Sequence, residues 1–423
     1  VPYRRRIIDD VLDVLMPDLA AVSLEGAKAV GKTATARQHV VSEVSFDDRA
    51  QRRPFEVDPS LIVGFPSPLL IDEWQFVPQV WDMVRRAVDD NPTGGRFLLT
   101  GSANPPTGAR THSGAGRIVR MLMRPLAFSE RGLCEPTVSL RALLAGEQEQ
   151  ISGVSGAQLA DYADEILRSG FPGIRDLPDR ARRAQLDSYI ARIVDHDLPE
   201  SGASVRRPNT VRAWLAAYGA ATATDASYSG ILDAATSGES DKPARQTVDV
   251  YRDHLQRIFV LDPLPAWTPA FAPLRRLTHS PKHHLVDPAL AARMAGVERA
   301  SLLGGVQPKI PPLAGSWLGS LFESLVTQSV RTYAQAAEAR VGHLRTRNTA
   351  HEVDIIVESD DMSVVAIEVK LAGAVDDRDV RHLNWLEEQI GERVVSKVVV
   401  TTGPLAYRRP DGVAVVPFAL LGP

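Results

Sequence analysis

Of its 423 residues the chain spends one on cysteine, Cys134. That excludes an internal disulfide and any zinc site built on several thiolates. Long apolar runs are also missing: nothing approaches the ~18 uninterrupted residues of a membrane-spanning helix. The basic opening Val1-Pro2-Tyr3-Arg4-Arg5-Arg6 leads into Ile7-Ile8-Asp9-Asp10, not into the apolar core of a signal peptide. No charge sign dominates, since 48 Lys+Arg against 52 Asp+Glu leave a formal net charge of −4. Such a balance argues against a uniformly basic nucleic-acid coat while leaving room for a local basic groove. There is no internal repeat and no low-complexity tail. These absences predict a cytoplasmic protein without membrane association, and the length predicts about two to four domains at ~100–200 residues each.

What is present begins with buried runs alternating with helical patterns. Val22-Ser23-Leu24, Leu69-Leu70-Ile71 and Phe97-Leu98-Leu99 are short apolar runs. Helix-forming residues follow from Lys32 to Val40, and Val80-Trp81…Met83-Val84…Ala87-Val88 repeats at helical spacing. This alternation predicts an α/β fold with a parallel sheet over residues 1–140. Residues 141–200 read as a helical lid, broken at Ser169-Gly170-Phe171-Pro172-Gly173. Residues 201–265 read as a small helical unit compatible with a winged helix, and the prolines of 266–316 (Pro269, Pro273, Pro281) mark a connector. A last α/β unit spans 317–423, with strands expected at Val353–Val357, Val364–Val369, Lys397–Val400 and Val413–Val416.

Gly26-Ala27-Lys28-Ala29-Val30-Gly31-Lys32-Thr33, with Ala34 next, matches G-x-x-x-x-G-K-[ST] in full. Its glycines let the backbone wrap a phosphate, and the N–H groups that open the following helix face it. Lys32 would reach the terminal phosphates of ATP and Thr33 would ligate Mg²⁺. Pro68-Leu69-Leu70-Ile71-Asp72-Glu73 ends an apolar strand in two acids. Asp72 suits the Mg²⁺ shell and Glu73 the attacking water. Thr100 or Ser102, at the end of the third run, would sense the γ-phosphate. Arg117 or Arg120 would stabilise transition-state charge, in cis or from a neighbouring copy in a homo-oligomer.

Gly26–Thr33, Pro68–Glu73, Phe97–Asn104 and Arg124-Pro125-Leu126-Ala127-Phe128-Ser129-Glu130 together resemble an AAA+-type ATPase family of bacteria and archaea with a C-terminal domain of unknown function. Ser45-Phe46-Asp47-Asp48, Gly170-Phe171-Pro172 and Pro281-Lys282-His283-His284-Leu285-Val286-Asp287 are further echoes without assigned chemistry. The resemblance implies a P-loop AAA+ core, a helical lid, a winged-helix segment and a restriction-endonuclease-like C-terminal domain. Adenine over guanine rests on it.

The C-terminal unit carries its own pattern. Glu368 and Lys370 in Ala366-Ile367-Glu368-Val369-Lys370 share one face of a strand. If the strand holding Asp354 pairs with it, these three side chains converge, and Glu323 supplies a further acid upstream. Two carboxylates would bind a second Mg²⁺ or Mn²⁺, and the lysine would position water for phosphodiester attack. The set resembles the PD-(D/E)xK nucleases, and Arg381-His382 opens the helix after it. Two couplings stay open: ATP-controlled binding or cleavage of DNA or RNA, or a nucleotide-dependent switch that binds a protein through an inactive nuclease-like platform. Asp195-His196-Asp197 and His279…His283-His284 lack the spacing of a known zinc site and read as surface or packing residues. The arginines between Arg206 and Arg257 are interspersed with Asp249 and Asp253, which makes a solvated mixed-charge surface.

Overall fold

The computed structural model describes residues 3–102, 114–237, 245–269, 277, 280–304, 314–347 and 350–423. Val1, Pro2, Ala103, Asn104, Pro273 and His279, all within the stretches named above, lie outside them. Near the start, α1 (Ile7–Leu15) precedes β1 (Ala21–Glu25), α2 (Lys32–Ala36), β2 (Ser42–Ser45), α3 (Arg49–Val57), β3 (Leu69–Asp72), α4 (Gln79–Asp90), β4 (Phe97–Gly101) and β5 (Val119–Leu122). The five strands form one all-parallel sheet in the order β2-β3-β4-β1-β5. The apolar runs of β1, β3 and β4 are buried at every position because both faces are covered. Leu69 and Ile71 pack with Phe46, Phe55, Trp74 and Trp81 on one face, while Leu70 joins Leu12, Val22 and Leu98 on the other.

The helix expected from Lys32 to Val40 stops at Ala36. The N–H groups of Gln38 and His39 reach back only three residues, to the carbonyls of Thr35 and Ala36, which tightens the end into turns. The His39 ring also leaves the helix axis to meet Asp9, Nε2 to Oδ1 2.8 Å.

The middle of the chain runs through β6 (Val138–Ser139), α5 (Leu140–Leu144), β7 (Gly153–Val154), α6 (Leu159–Arg168), α7 (Pro172–Arg175), α8 (Asp179–Arg192) and α9 (Leu198–Glu200). A π-helical turn, Ile193–Asp197, links α8 to α9. Next come α10 (Pro208–Ala220), α11 (Tyr228–Ala235), α12 (Arg245–Arg257), α13 (Pro288–Met294) and α14 (Arg299–Leu302). Among the described residues of 201–265 there are helices but no β-hairpin wing. Two isolated antiparallel bridges, Leu261 to Leu285 and Leu264 to Lys282, take its place.

The C-terminal part starts with α15 (Ala314–Ala336) and continues as β8 (Arg340–Arg345), β9 (Glu352–Glu358), β10 (Val364–Lys370), α16 (Asp377–Ile390), β11 (Val394–Thr401), β12 (Leu405–Arg408), β13 (Ala414–Pro417) and β14 (Leu421–Gly422). Seven strands make a mixed sheet, β7-β12-β13-β11-β10-β9-β8. The units expected from the sequence therefore interleave. The stretch expected as a lid lends β7 to the C-terminal sheet, and β14 returns to pair with β6. Phe128, beside the first sheet, packs against Tyr162 and Phe418, with ring centroids 5.4 and 4.6 Å away. A single apolar cluster runs from Ile7 through Tyr162 and Phe322 to Leu421. No helix among the described residues is long and apolar enough to cross a membrane.

Candidate nucleotide site and a second acidic cluster

The loop after β1 is shaped by positions that need glycine. Gly26 has φ +153°, and a Cβ there would lie 2.2 Å from the Met123 carbonyl oxygen. Gly31, at φ +104°, turns the chain into α2. Ala29 also sits at positive φ, +67°. Lys32 Nζ folds back to donate to the carbonyl oxygens of Gly26 and Ala27, 2.9 Å each. Burial pushes its ammonium down to about 8, only partly offset by Glu73 and Asp72.

The sheet order brings Asp72 to this loop, because β4 alone separates β3 from β1. Thr33 Oγ1 donates to Asp72 Oδ1 at 2.8 Å, and the Thr100 hydroxyl donates to the same oxygen. Ser45 Oγ donates to Asp72 Oδ2 at 3.4 Å. Glu73 adopts φ +53°, which swings its side chain away from its neighbour's. There it accepts from Ser102 Oγ at 2.9 Å and from the Gln75 amide. Thr100 and Ser102 thus serve different acids. Ala34 is exposed and offers its carbonyl to Gln38 Nε2 at 3.1 Å.

Other expected residues go elsewhere. Lys28 turns outward to the lid stretch, 2.8 Å from Asp197 Oδ1 and 2.9 Å from Glu200 Oε2. Tyr189 Oη donates to the Lys28 carbonyl at 3.2 Å. His196, Asp197 and Glu200 could together offer ligand atoms to a metal, but the Lys28 ammonium already lies between the two acids. Arg117 precedes β5, whose first residue pairs with Val22, and it binds Asp89 at 2.8 Å in the last turn of α4. It therefore lies at the end of the sheet opposite the P-loop, so a role in cis on the γ-phosphate is corrected. Arg120, unlike Arg117, lies at the loop end of β1, where it pairs with Glu25, Nε to Oε1 2.6 Å. Sequence reasoning missed Arg6. Its guanidinium donates to the Val30 carbonyl at 3.0 Å, the Arg124 carbonyl at 2.9 Å and Glu130 Oε1 at 2.9 Å, all buried. Nothing in a basic opening stretch distinguishes it from Arg4 or Arg5.

In the C-terminal sheet, β9 and β10 pair antiparallel with Ile355 opposite Ile367, which places Asp354 beside Glu368. Asp354 Oδ2 accepts from the Val369 N–H at 3.0 Å, and Lys370 Nζ donates to Glu368 Oε2 at 2.9 Å. Glu323 reaches the cluster from α15. At its centre sits Lys282, outside the expected set, with Nζ 2.8 Å from Glu323 Oε1 and 2.9 Å from both Asp354 Oδ1 and Glu352 Oε1. Burial and the Asp354 charge raise Glu323 to about 8 and hold Glu368 well above the usual carboxylate range. Despite its burial, Asp354 is lowered by Lys282 and Lys370. Arg381 and His382 lie inside α16, which opens at Asp377 under an Asp376 cap. His283 Nε2 bonds the Ala226 carbonyl at 2.7 Å and His284 Nδ1 bonds Ser324 Oγ at 3.1 Å, both rings buried.

Residues 19–132 match the family model of an AAA domain. The sheet order, the loop and this match support an AAA-type ATPase core. Residues 159–301 and 318–421 match two domains of unknown function, DUF8612 and DUF4143. Rv2008c of Mycobacterium tuberculosis and Mb2031c of Mycobacterium bovis, both uncharacterized, are each 28% identical over 352 residues, spanning 80% of this chain and 67% of theirs. The Walker-type ATPase PABY2304 of Pyrococcus abyssi aligns at 15% identity and TM-score 0.41, over 68% of this chain and 94% of its own.

Proposed function

We propose that the chain is a Mg²⁺-dependent ATPase of the AAA type that works as a nucleotide-dependent switch. The observation that carries the ATPase reading is the Asp72 carboxylate held by the Thr33 and Thr100 hydroxyls, with Glu73 turned to separate partners beside it. Thr33 and Asp72 would hold Mg²⁺, which neutralises charge on the β- and γ-phosphates when bound. Lys32 exchanges two backbone carbonyls for phosphate oxygens, and the backbone of Gly26–Ala34 wraps the phosphate chain. Ser102 and Gln75 hold the Glu73 carboxylate ready to accept a proton from water. Arg117, with its side chain half-exposed, is left for a role in trans, which would require a homo-oligomer.

Lys28 joins the phosphate loop to the lid stretch, so phosphates drawing on its ammonium would loosen Asp197 and Glu200. That link supports a switch whose state reaches the lid. For the C-terminal domain, an ammonium amid the acids favours a binding platform over a cutting site. Its occupant would be a protein partner, with DNA or RNA as the competing reading. The test is Mg²⁺-ATP turnover during titration of single- and double-stranded DNA at low and moderate salt, with Lys32→Ala as the blank. A real but DNA-independent rate is expected. Stimulation that fades with salt would put nucleic acid on the functional path instead.

A further inference from the structure

Lys282 does not belong to the strands that carry the acids around it. It comes from the run Pro281–Asp287, pinned on both sides. Lys282 and Leu264 exchange backbone hydrogen bonds of 2.9 and 3.0 Å, the His283 N–H donates to the Thr224 carbonyl at 2.8 Å, and His284 bonds Ser324 next to Glu323. The lysine is 2% exposed. Its ammonium donates to Glu323 and Asp354 and has a third acid, Glu352, in ion-pair contact at 2.9 Å.

This geometry conflicts with a divalent ion at the same place. Mg²⁺ needs oxygens at about 2.0–2.1 Å in a near-octahedral shell. Here Asp354, one of the two acids expected as ligands, and Glu323, the further acid upstream, are spread around a nitrogen at 2.9 and 2.8 Å. A second cation among them would meet the Lys282 charge at close range in a buried setting, where little water screens the repulsion. Lys370, the lysine expected to activate water, is engaged by Glu368. Glu368 Oε1 is buried with no hydrogen-bond partner among the described residues. That open oxygen alone does not make a near-octahedral shell, since both Asp354 oxygens and Glu368 Oε2 are engaged, so the residues present do not fit a metal while Lys282 is in place.

We propose that Lys282 is a built-in cation that stands where the nuclease pattern would place its metal, making the site closed to Mg²⁺ and Mn²⁺ and silent in cleavage. It rests on the platform half of the reading above and is independent of ATP hydrolysis.

The test is Mn²⁺ binding to the full chain without nucleotide, read as loss of the free-ion electron paramagnetic resonance signal. Wild type and Asp354→Asn should bind the same amount. Lys282→Met, which keeps the length and removes the charge, should gain about one Mn²⁺ per chain, and adding Asp354→Asn should abolish that gain. A wild-type Mn²⁺ that Asp354→Asn or Glu323→Gln removes would overturn the proposal, and so would a folded Lys282→Met with no gain. If Lys282→Met does not fold, the comparison of wild type with Asp354→Asn and Glu323→Gln decides alone. ATP turnover is measured separately, so failure of the ATPase reading would leave this result standing.

Discussion

Glu73 and Lys32 carry different halves of the ATPase account, and single substitutions separate them. Glu73→Gln keeps size and hydrogen bonding but cannot take a proton. Turnover should fall by roughly 10²–10⁴ while ATP affinity stays within about twofold, measured by single-turnover kinetics and nucleotide titration. For Lys32 the sign follows from its lowered value of about 8 in the free chain. Above that pH the free side chain is neutral, whereas phosphate favours the ammonium, so binding takes up a proton. Affinity should then fall towards tenfold per unit above pH 8 and flatten below it. Calorimetry at pH 8.5 in buffers of different ionisation enthalpy should report the proton uptake. The acids Asp72 and Glu73 and the P-loop were legible in the sequence because short-range spacing alone defines them. Arg117 was not, since its position at the far end of the sheet depends on which way α4 runs, and Asp89 claims it there.

Among the elements, α1 shows how a region without motif bears on the site. Its N-terminal neighbour Arg6 bonds Val30, Arg124 and Glu130 at once, and Glu130 also accepts from the Ile7 and Ala127 N–H groups, 2.7 Å each. Removing one side of a buried charge pair leaves the other unpaired, which costs about 3–5 kcal/mol. Glu130→Ala should therefore lower the thermal midpoint clearly, and Arg6→Ala should in addition weaken ATP binding through the loosened loop. By contrast, Arg5→Ala, on the exposed side with Asp10 and Asp13, should change stability little. Strands with apolar runs, β1, β3, β4, β9, β10, β11 and β13, were readable from periodicity. β8 reads Arg-Val-Gly-His-Leu-Arg, and β12 is a short Leu-Ala-Tyr-Arg. Their polar residues hide them, because pairing partners rather than pattern make them strands.

At the scale of the whole molecule, the parts are tied more closely than their order along the chain suggests. Arg124 beside the first sheet binds Asp262, Nε to Oδ2 2.7 Å, and Asp262 also binds Arg331 on α15 at 3.0 Å. Phe128 N–H donates to Ser329 Oγ and Ser129 N–H to Tyr333 Oη, 3.0 Å each. Since one apolar cluster spans these units, thermal unfolding should give one cooperative transition, with tryptophan fluorescence and far-ultraviolet dichroism coinciding. A separate early transition of the C-terminal part would contradict this. The sequence divides at prolines and composition shifts, which carry no record of β7 crossing to β12 or β14 to β6. Lys282 stayed hidden for a like reason, since its partners are distant in sequence and meet it only in the fold.

The most direct measurement of the central claim is a side-by-side assay of wild type, Lys32→Ala and Glu73→Gln for Mg²⁺-ATP binding and phosphate release. The account predicts that wild type binds and hydrolyses, Glu73→Gln binds without hydrolysing, and Lys32→Ala does neither. Equal phosphate release from wild type and Glu73→Gln, or ATP binding undiminished in Lys32→Ala, would contradict it.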